Sequence, residues 1–182
     1  MQFIRLPQRQ IAILDDEDFQ RLAHFHWTYR AERHGNQGYA MRRLKVDGKY
    51  KTRYLHRDIA DPPVGMTVIF LNHDRLDCRK ENLKVVTPQT ASHHHRVRSD
   101  CKSGFQGVKH NPENGTYSAN LYRDDRCHCL GSFSTPEAAA HARQCELEKW
   151  EPELFTATAP PRIDRATLPL DDPEWQAQAN PR

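Results

Sequence analysis

A polar and basic stretch interrupts the chain at residues 92–104, SHHHRVRSDCKSG. Short apolar runs and turn signals occur on both sides of it, in two patterns that start independently. Because only 37% of the 182 residues are hydrophobic and the mean hydropathy is -0.90, we expect two small layered modules and not one thick core. The predicted organisation is a first module, a basic linker, a second module and a tail: residues 1–95, 96–102, 103–156 and 157–182.

Short strands and one helix are predicted at the start of the first module. The run IRLPQRQIAIL alternates well enough for one or two strands. The segment DDEDFQRLAHF opens with acids that suit the first turn of a helix, whose buried side would carry Phe19, Leu22 and Phe25. Two turn signals, HGNQG and VDGKY, then separate strand-like runs such as YAMRRLKV and KTRYLH, which indicates a small antiparallel sheet.

The first module ends in a pattern typical of a hairpin with a helix. Pro62 and Pro63 break regular structure. Residues 68–86 then contain an apolar run, a polar loop and the helix-like RKENLKVV. This order predicts a β-hairpin packed on a helix.

The second module has three strand-like runs followed by a strong helix pattern. The strands are predicted within FQGVKHNPENGTYSANLYRDDRCHCLGSF, with turns at NPENG and RDD. The helix is predicted within STPEAAAHARQCELEKW, with Ser134 or Thr135 as cap, Pro136 early and Glu137 near the positive end of the dipole. The remaining residues, rich in proline and without an apolar period, predict a disordered or loosely draped tail. The fold class is therefore α+β.

Charge is distributed unevenly along the chain. The net charge of +3 conceals two basic stretches, with seven bases against one acid in residues 42–57 and seven against two in residues 78–110. Residues 146–182 are acidic, with eight acids against four bases. Such asymmetry indicates a body that binds a polyanion, although a solvated basic surface is the alternative.

Composition also limits the location and the cysteine chemistry. No apolar run approaches the roughly 20 residues that span a bilayer, and the N-terminus lacks a signal-peptide core, so we expect a soluble cytoplasmic protein. Five cysteines argue against a secreted disulfide framework. The sequence CHC at 127–129 lacks a second pair at zinc-finger spacing, so buried or half-buried thiols are favoured over a metal site. In a strand, Cys127 and Cys129 would share one face.

Two segments resemble known families in a linked order. The motifs IAILDDEDFQRLAHFHW, GYAMRR, YLHRDI and PVGMTVIFLNHDRLDCRKENLKVVTPQ in residues 1–95 resemble HNH homing endonucleases of phages and bacteria. The motifs SGFQGVKHN, GTYSANL and LGSFSTPEAAAHA in residues 103–155 resemble the AP2/ERF DNA-binding domain. This resemblance implies a small N-terminal sheet with an HNH-like ββα unit, then an AP2-type three-stranded antiparallel sheet with one packed helix. It also implies a mobile-element origin, in the cytoplasm of a bacterium or a phage-infected cell near the nucleoid.

The catalytic pair of the HNH family is missing from this sequence. Anchoring on DRLDCRKENL places the family's metal-binding aspartate at Ile69 and its general-base histidine at Phe70. The supporting asparagine falls on Asn82, and the later metal ligand falls on Ala91. Isoleucine offers no oxygen to Mg²⁺ and phenylalanine has no titratable group, so we expect no cofactor and no cleavage in this frame.

One alternative keeps the protein an enzyme. If the hairpin register slid by three residues, Asn72 and His73 could replace the lost pair, and His94 could replace Ala91 as a ligand for Mg²⁺ or Mn²⁺. That shift shortens the spacing from the base to Asn82 from 12 residues to 9 and exchanges a carboxylate for a neutral amide. A zinc-stabilised interaction protein built on CHC and HHH is a third, more distant class, and for HHH a solvated basic linker is favoured.

The resemblance further implies that double-stranded DNA is the partner, bound by a protein for which a monomer is favoured. We expect the first module to hold the DNA backbone, and the AP2-like sheet to reach base edges and phosphates in the major groove. The expected contacts of the first module are Arg42, Arg43, Arg53, His56, Arg57, Arg79 and Lys80. Those of the second are Lys109, His110, Asn111, Tyr117, Asn120, Tyr122 and Arg126, although Tyr117 could instead anchor the core and His56 could be a packed histidine.

Overall fold

A computed structural model of the chain describes residues 1–32, 37–94, 97, 101–124, 126–152, 154 and 158–168. The fold is mixed, with several small antiparallel sheets and few helices. Two compact units are present in the described part of the chain: an N-terminal unit within residues 1–87 that also includes the tail from residue 159 to 168, and a C-terminal unit within residues 88–158. Within the described residues, no helix is long and apolar enough to span a membrane.

The N-terminal unit begins with a two-stranded hairpin and a short helix, as predicted. Strand β1 (Gln2–Leu6) pairs antiparallel with β2 (Gln10–Leu14). Helix α1 (Asp16–Leu22) starts with three acidic residues, which favour the positive end of the helix dipole. Leu22 is buried, and Phe19 and Phe25 pack partly buried against the same core. The predicted burial of all three side chains is confirmed, although Phe25 lies beyond the end of α1.

A three-stranded antiparallel sheet follows. It contains β3 (Thr28–Ala31), β4 (Gly38–Val46) and β5 (Lys49–Tyr54), with β4 in the centre. The predicted turn at VDGKY is present between β4 and β5, whereas most of HGNQG lies outside the described residues. Leu55 and His56 were expected to extend β5, but they begin helix α2 (Leu55–Ala60). The helix forms because Leu55 and Ile59, one turn apart, both reach the core.

The hairpin at residues 67–86 differs from the prediction in one element. Strand β6 (Thr67–Phe70) pairs antiparallel with β7 (Leu83–Val86), and a 3-10 turn (Lys80–Asn82) precedes β7. The expectation of a helix over RKENLKVV is therefore wrong. The β-branched Val85 and Val86 favour a strand, and their pairing with β6 satisfies backbone groups that a helix would have bonded internally. A helix follows the hairpin instead, as α3 (Pro88–His93) in the C-terminal unit.

One apolar core holds the N-terminal unit together. It gathers buried side chains from β1, β2, α1, α2, β4 and the hairpin: Ile4, Leu6, Ala12, Leu14, Leu22, Trp27, Ala40, Leu55, Ile59, Phe70, Leu76 and Cys78. Trp27 is 3% exposed, and its indole nitrogen donates to the Leu22 carbonyl at 2.8 Å, which satisfies the polar atom of a buried ring.

The C-terminal unit has the predicted three strands and one long helix. Strands β8 (Val108–Asn111), β9 (Thr116–Arg123) and β10 (Arg126–Phe133) form an antiparallel sheet with β9 in the centre. Helix α4 (Pro136–Trp150) packs on one face of the sheet, where Ala139 meets Val108 and Ala119. The Thr135 hydroxyl caps the helix by accepting from the Ala138 nitrogen at 3.2 Å, and Pro136 occupies the first turn.

The first part of the tail is attached to the N-terminal unit. Arg165 donates two hydrogen bonds to the buried carboxylate of Asp74, at 2.7 and 3.0 Å, and a third to the Ile11 carbonyl at 3.1 Å. Arg162 donates to the Asn72 carbonyl at 2.8 Å. Proline content and the missing apolar period gave no sign of these contacts, because they are made by single arginines. Residues 169–182, and most of the predicted linker 96–102, lie outside the described residues.

Candidate functional site

The loop between β6 and β7 is built around Asn82, whose side chain is fully buried. Its amide oxygen accepts from the Asn72 backbone nitrogen at 2.9 Å, and its amide nitrogen donates to the Asp77 carbonyl at 2.7 Å. Asn72 in turn donates to the Asp77 carboxylate at 2.9 Å and accepts from the Asp74 nitrogen at 2.8 Å. Both ends of the Asn82 amide are thus committed to holding the loop. The side chain is fully enclosed, so its main role in this structure is to fix the conformation of the loop.

Ile69 and Phe70 lie on β6 and are each only 7% exposed. Phe70 belongs to the apolar core, and its ring meets His56 edge-on at 5.0 Å between centroids. The positions that the sequence analysis assigns to the metal-binding aspartate and the general base are therefore occupied by packed apolar side chains. They hold the hairpin to the rest of the unit by burial.

The residues present do not fit a divalent cation. Both acidic side chains of the loop already accept from guanidinium groups: Asp74 from Arg165, and Asp77 from Arg79 in a bidentate pair at 2.8 and 2.7 Å. Among the described residues, no cluster of three or more His, Cys, Asp or Glu side chains is placed to hold a metal ion. Mg²⁺ requires several oxygen ligands in near-octahedral geometry, and the buried pair on β6 provides none.

The histidines of the rearranged-site hypothesis belong to different compact units. His73 lies in the loop of the N-terminal unit, with a left-handed backbone (φ 58°), and its amide donates to the Phe70 carbonyl at 2.9 Å. His94 and Ala91 belong to the C-terminal unit. Asn72, the proposed partner of His73, is 8% exposed and committed to the loop. The commitment of Asn72 to the loop therefore does not support its role as a ligand in the rearranged site.

The hairpin lies within the part of the chain that is similar to a known protein family. Residues 61–96 match a family model described as HNH endonuclease. That segment is HNH endonuclease-like. It covers about a fifth of the chain and indicates a function related to nucleic acid. No curated protein and no solved structure showed significant similarity to the chain.

Arg42, expected to contact DNA, is buried in a charge cluster. Its side chain is 11% exposed and donates to the Asp58 carboxylate at 2.8 and 3.1 Å. The guanidinium also lies 3.5 Å from the centre of the Phe25 ring. Arg53 donates to the other oxygen of Asp58 at 2.7 Å but remains 52% exposed. Arg42 is thus a structural residue, whereas Arg53 keeps part of its surface open.

The charges of Arg79 and Lys80 are largely matched by nearby acids. Arg79 is 12% exposed and pairs with Asp77 and Glu81. Lys80 donates to Glu17 at 2.8 Å, and this hydrogen bond raises the pKa of Lys80 and lowers that of Glu17. Neither residue offers an isolated positive charge to a phosphate.

His56 is neutral in the folded unit. Burial, together with the charges of Arg57 and Arg75, lowers the pKa of His56 to about 3. The ring packs against Phe70, Tyr39 and Tyr54. The geometry therefore supports the alternative of a packed histidine.

Exposed positive charge in the N-terminal unit is concentrated on β4 and β5. Arg43 on β4 is exposed, and so is Arg57 on the neighbouring helix α2; both were expected contacts. Lys45, Lys49 and Lys51 are exposed as well, and Tyr50 is 74% exposed. These lysines belong to the basic stretch of residues 42–57 but were not among the expected contacts. The period-2 pattern of the two strands was the signal that could have identified them.

The strand register of the C-terminal unit sorts the expected DNA contacts onto two faces. Residues that pair directly across two strands lie on the same face of the sheet. On the face away from α4, β8 and β9 pair Lys109 with Ser118 and Asn111 with Thr116. On the same face, β9 and β10 pair Asn120 with Cys129 and Tyr122 with Cys127. We call this the open face. It brings together four expected contacts: Lys109, Asn111, Asn120 and Tyr122.

The other three expected contacts point to the helix side. Tyr117 packs against the core beneath α4, and His110 lies 4.8 Å from it between ring centroids. Arg126 lies opposite Arg123 in the strand register and therefore on the same face. The guanidinium carbon of Arg123 lies 4.9 Å from the centre of the Trp150 ring. For Tyr117 the geometry supports the core alternative.

Two predictions about cysteine and histidine need correction. Cys127 and Cys129 do share a face, as expected, but both are exposed because nothing in the described C-terminal unit covers the open face. His93 was expected in a solvated linker, yet it ends α3 with its side chain 7% exposed. Its ring nitrogens lie 3.2 Å from the Glu151 carboxylate and 2.9 Å from the Tyr122 carbonyl. His95, the last residue of HHH, lies outside the described residues.

Proposed function

We propose that this protein binds duplex DNA and does not cleave it. The observation that carries the proposal is the burial of Ile69 and Phe70 in the HNH endonuclease-like hairpin. An HNH site needs a metal-binding carboxylate and a titratable base at the two positions, and loss of a general base alone costs a factor of about 10² to 10⁴ in rate. Here the hairpin serves as a scaffold, held by Asn82 and by the apolar core.

Binding rests on exposed basic side chains in the N-terminal unit and on the open face in the C-terminal unit. Arg43, Arg53 and Arg57 retain exposed guanidinium surface for phosphates. Lys109, Asn111, Asn120 and Tyr122 would be the sheet contacts if the C-terminal unit docks as an AP2-type module. Its three antiparallel strands with one packed helix support that comparison. Because the open face carries few charges, its contribution would come from hydrogen bonds more than from phosphate attraction.

Occupancy of a former homing site, or repression from it, would be the biological use of such a protein. The bacterial or phage-infected cytoplasm remains the proposed location. A monomer would suffice, since each unit offers its own surface.

We expect a DNA complex whose affinity falls steeply with salt and does not require a metal. In a band-shift titration with a duplex of roughly 30 base pairs, the logarithm of the binding constant should fall linearly with the logarithm of the salt concentration, by about 0.9 per phosphate contact. The complex should form equally well in EDTA and in Mg²⁺. Absence of any shift at about 50 mM salt, where phosphate contacts are strong, would remove the proposal.

A further inference from the structure

Strands β4 and β5 extend beyond the sheet that contains them. The pairing of β3 with β4 ends at Met41, whereas β4 and β5 stay paired out to Val46 and Lys49. Residues 43–52 therefore form a two-stranded ribbon. Every residue in it is exposed except Leu44, which is half-buried. The ribbon contributes little to the core, so its composition is not explained by folding.

The sequence keeps this ribbon regular to its tip. Asp47 and Gly48 both have positive φ, 51° and 75°, as a two-residue type I′ hairpin turn requires. That turn matches the right-handed twist of the flanking strands, so the two strands stay paired up to the turn. Four paired positions on each strand, at about 3.3 Å per residue, give a length of roughly 13 Å.

Positive charge lies on both faces of the ribbon. Arg43 pairs with Thr52 and Lys45 pairs with Tyr50, which places these four side chains on one face. Lys49 and Lys51 lie on the other face, opposite Val46 and Leu44. Asp47 is the only acid in the ribbon. Within the described residues, none of the four cations forms an ion pair, in contrast to Arg42, Arg79 and Lys80.

We infer that the ribbon of residues 43–52 enters the major groove of duplex DNA. The major groove is about 12 Å wide and admits a two-stranded β-ribbon, whereas the minor groove is only about 6 Å wide. Arg43, Lys45 and Tyr50 face the base edges, where arginine and lysine can donate to guanine O6 and N7. Lys49 and Lys51, on the opposite face, reach the flanking phosphates. This inference rests on the proposed function.

Lysine on an exposed strand edge also has another use, because it discourages pairing with other chains. That role needs charge but no DNA. Edge protection by the lysines does not explain Tyr50, because an exposed aromatic side chain on an open strand edge favours association with other chains. It also gives no reason for an arginine at position 43. The two roles make different predictions for a chain from which the ribbon has been removed.

The register allows a clean removal of the ribbon in the full-length protein. Arg42 and Arg53 are directly paired, so residues 43–52 can be replaced by Asn-Gly, which forms the same type of turn four paired positions earlier. We call this the trimmed variant. It keeps the Asp58 cluster and every buried residue of the core. A matching circular dichroism spectrum and melting temperature would establish that it folds.

The test compares two duplexes of one sequence, one plain and one whose cytosines carry a glucosylated hydroxymethyl group that fills the major groove. We expect the trimmed variant to bind the plain duplex about tenfold or more weakly, with a salt slope lower by about 0.9 for each lost phosphate contact. The penalty for glucosylation should be larger for the natural protein than for the trimmed variant. Arg9→Gln, which removes an exposed charge from the same unit outside the ribbon, should change affinity less than Lys45→Gln does.

Two results would overturn the inference. The first is a trimmed variant that binds the plain duplex like the natural protein, which would assign the lysines to edge protection. The second is an equal glucosylation penalty for both proteins, which would place the major-groove contact elsewhere. Either result leaves DNA binding by the natural protein intact, whereas a natural protein that binds neither duplex contradicts the proposed function itself.

Discussion

Replacing Asn82 by alanine is expected to destabilise the N-terminal unit by about 3 kcal/mol, because it leaves buried backbone groups without partners. The substitution removes the acceptor for the Asn72 nitrogen and the donor to the Asp77 carbonyl, both within a side chain that is fully buried. In a working nuclease the same substitution would be expected to act mainly on cleavage. Here it should act on folding.

Urea unfolding followed by the fluorescence of Trp27 measures this change within the correct unit. Trp27 is buried in the N-terminal core. Trp150→Phe and Trp175→Phe, introduced as a common background, would remove the other two tryptophans. Glu81→Ala is the matched control: it lies on the same turn, but its side chain is 59% exposed, so we expect a loss below about 1 kcal/mol. An Asn82→Ala protein as stable as that control would contradict the structural role of Asn82.

Replacing Asp58 by alanine is expected to cost about 3–5 kcal/mol, the range for removing one partner of a buried ion pair. The Asp58 carboxylate is 3% exposed and is the counter-ion of Arg42, which is itself 11% exposed and packed against Phe25. Without it, a guanidinium would remain buried with its charge uncompensated. Arg53 would suffer less because half of its side chain reaches solvent.

The same urea assay gives the comparison for Asp58. Asp16→Ala is a suitable control, since Asp16 also forms an ion pair but is 65% exposed, and exposed pairs contribute little to stability. If Asp58→Ala were no more destabilising than Asp16→Ala, the buried cluster would not be a structural element. Arg42 would then again be a candidate DNA contact.

Much of the local structure follows from the sequence. The alternation of burial in β1, the apolar run of β2, the acidic start of α1 and the cap at Thr135 are all short-range signals that indicate their elements. The helix over RKENLKVV was predicted wrongly because residues 79–86 contain good helix formers, while the strand forms only through pairing with β6. Propensity alone does not report that pairing.

Some of the candidate site residues could likewise be interpreted from local spacing, whereas others depend on contacts between distant parts of the chain. The spacing to Asn82 predicts that Ile69 and Phe70 stand at the two positions of the catalytic pair, and this remains a prediction. The burial of Arg42 was not visible, because its partner Asp58 lies 16 residues away on another element. Nor could composition reveal that Arg165 forms an ion pair with Asp74, 91 residues earlier in the chain. Long-range pairs of single charged residues leave no periodic signal in a sequence.

The most direct test of DNA binding without cleavage uses supercoiled plasmid. The protein is incubated with the plasmid at low salt in Mg²⁺ or Mn²⁺, and nicking and band shift are scored on one gel. We expect a shifted plasmid that remains supercoiled, because Ile69 and Phe70, at the two positions that the resemblance assigns to the catalytic pair, are buried in the core. His73→Ala should behave in the same way as the natural protein. Nicking by the natural protein that disappears in His73→Ala would contradict the account and establish a rearranged nuclease site.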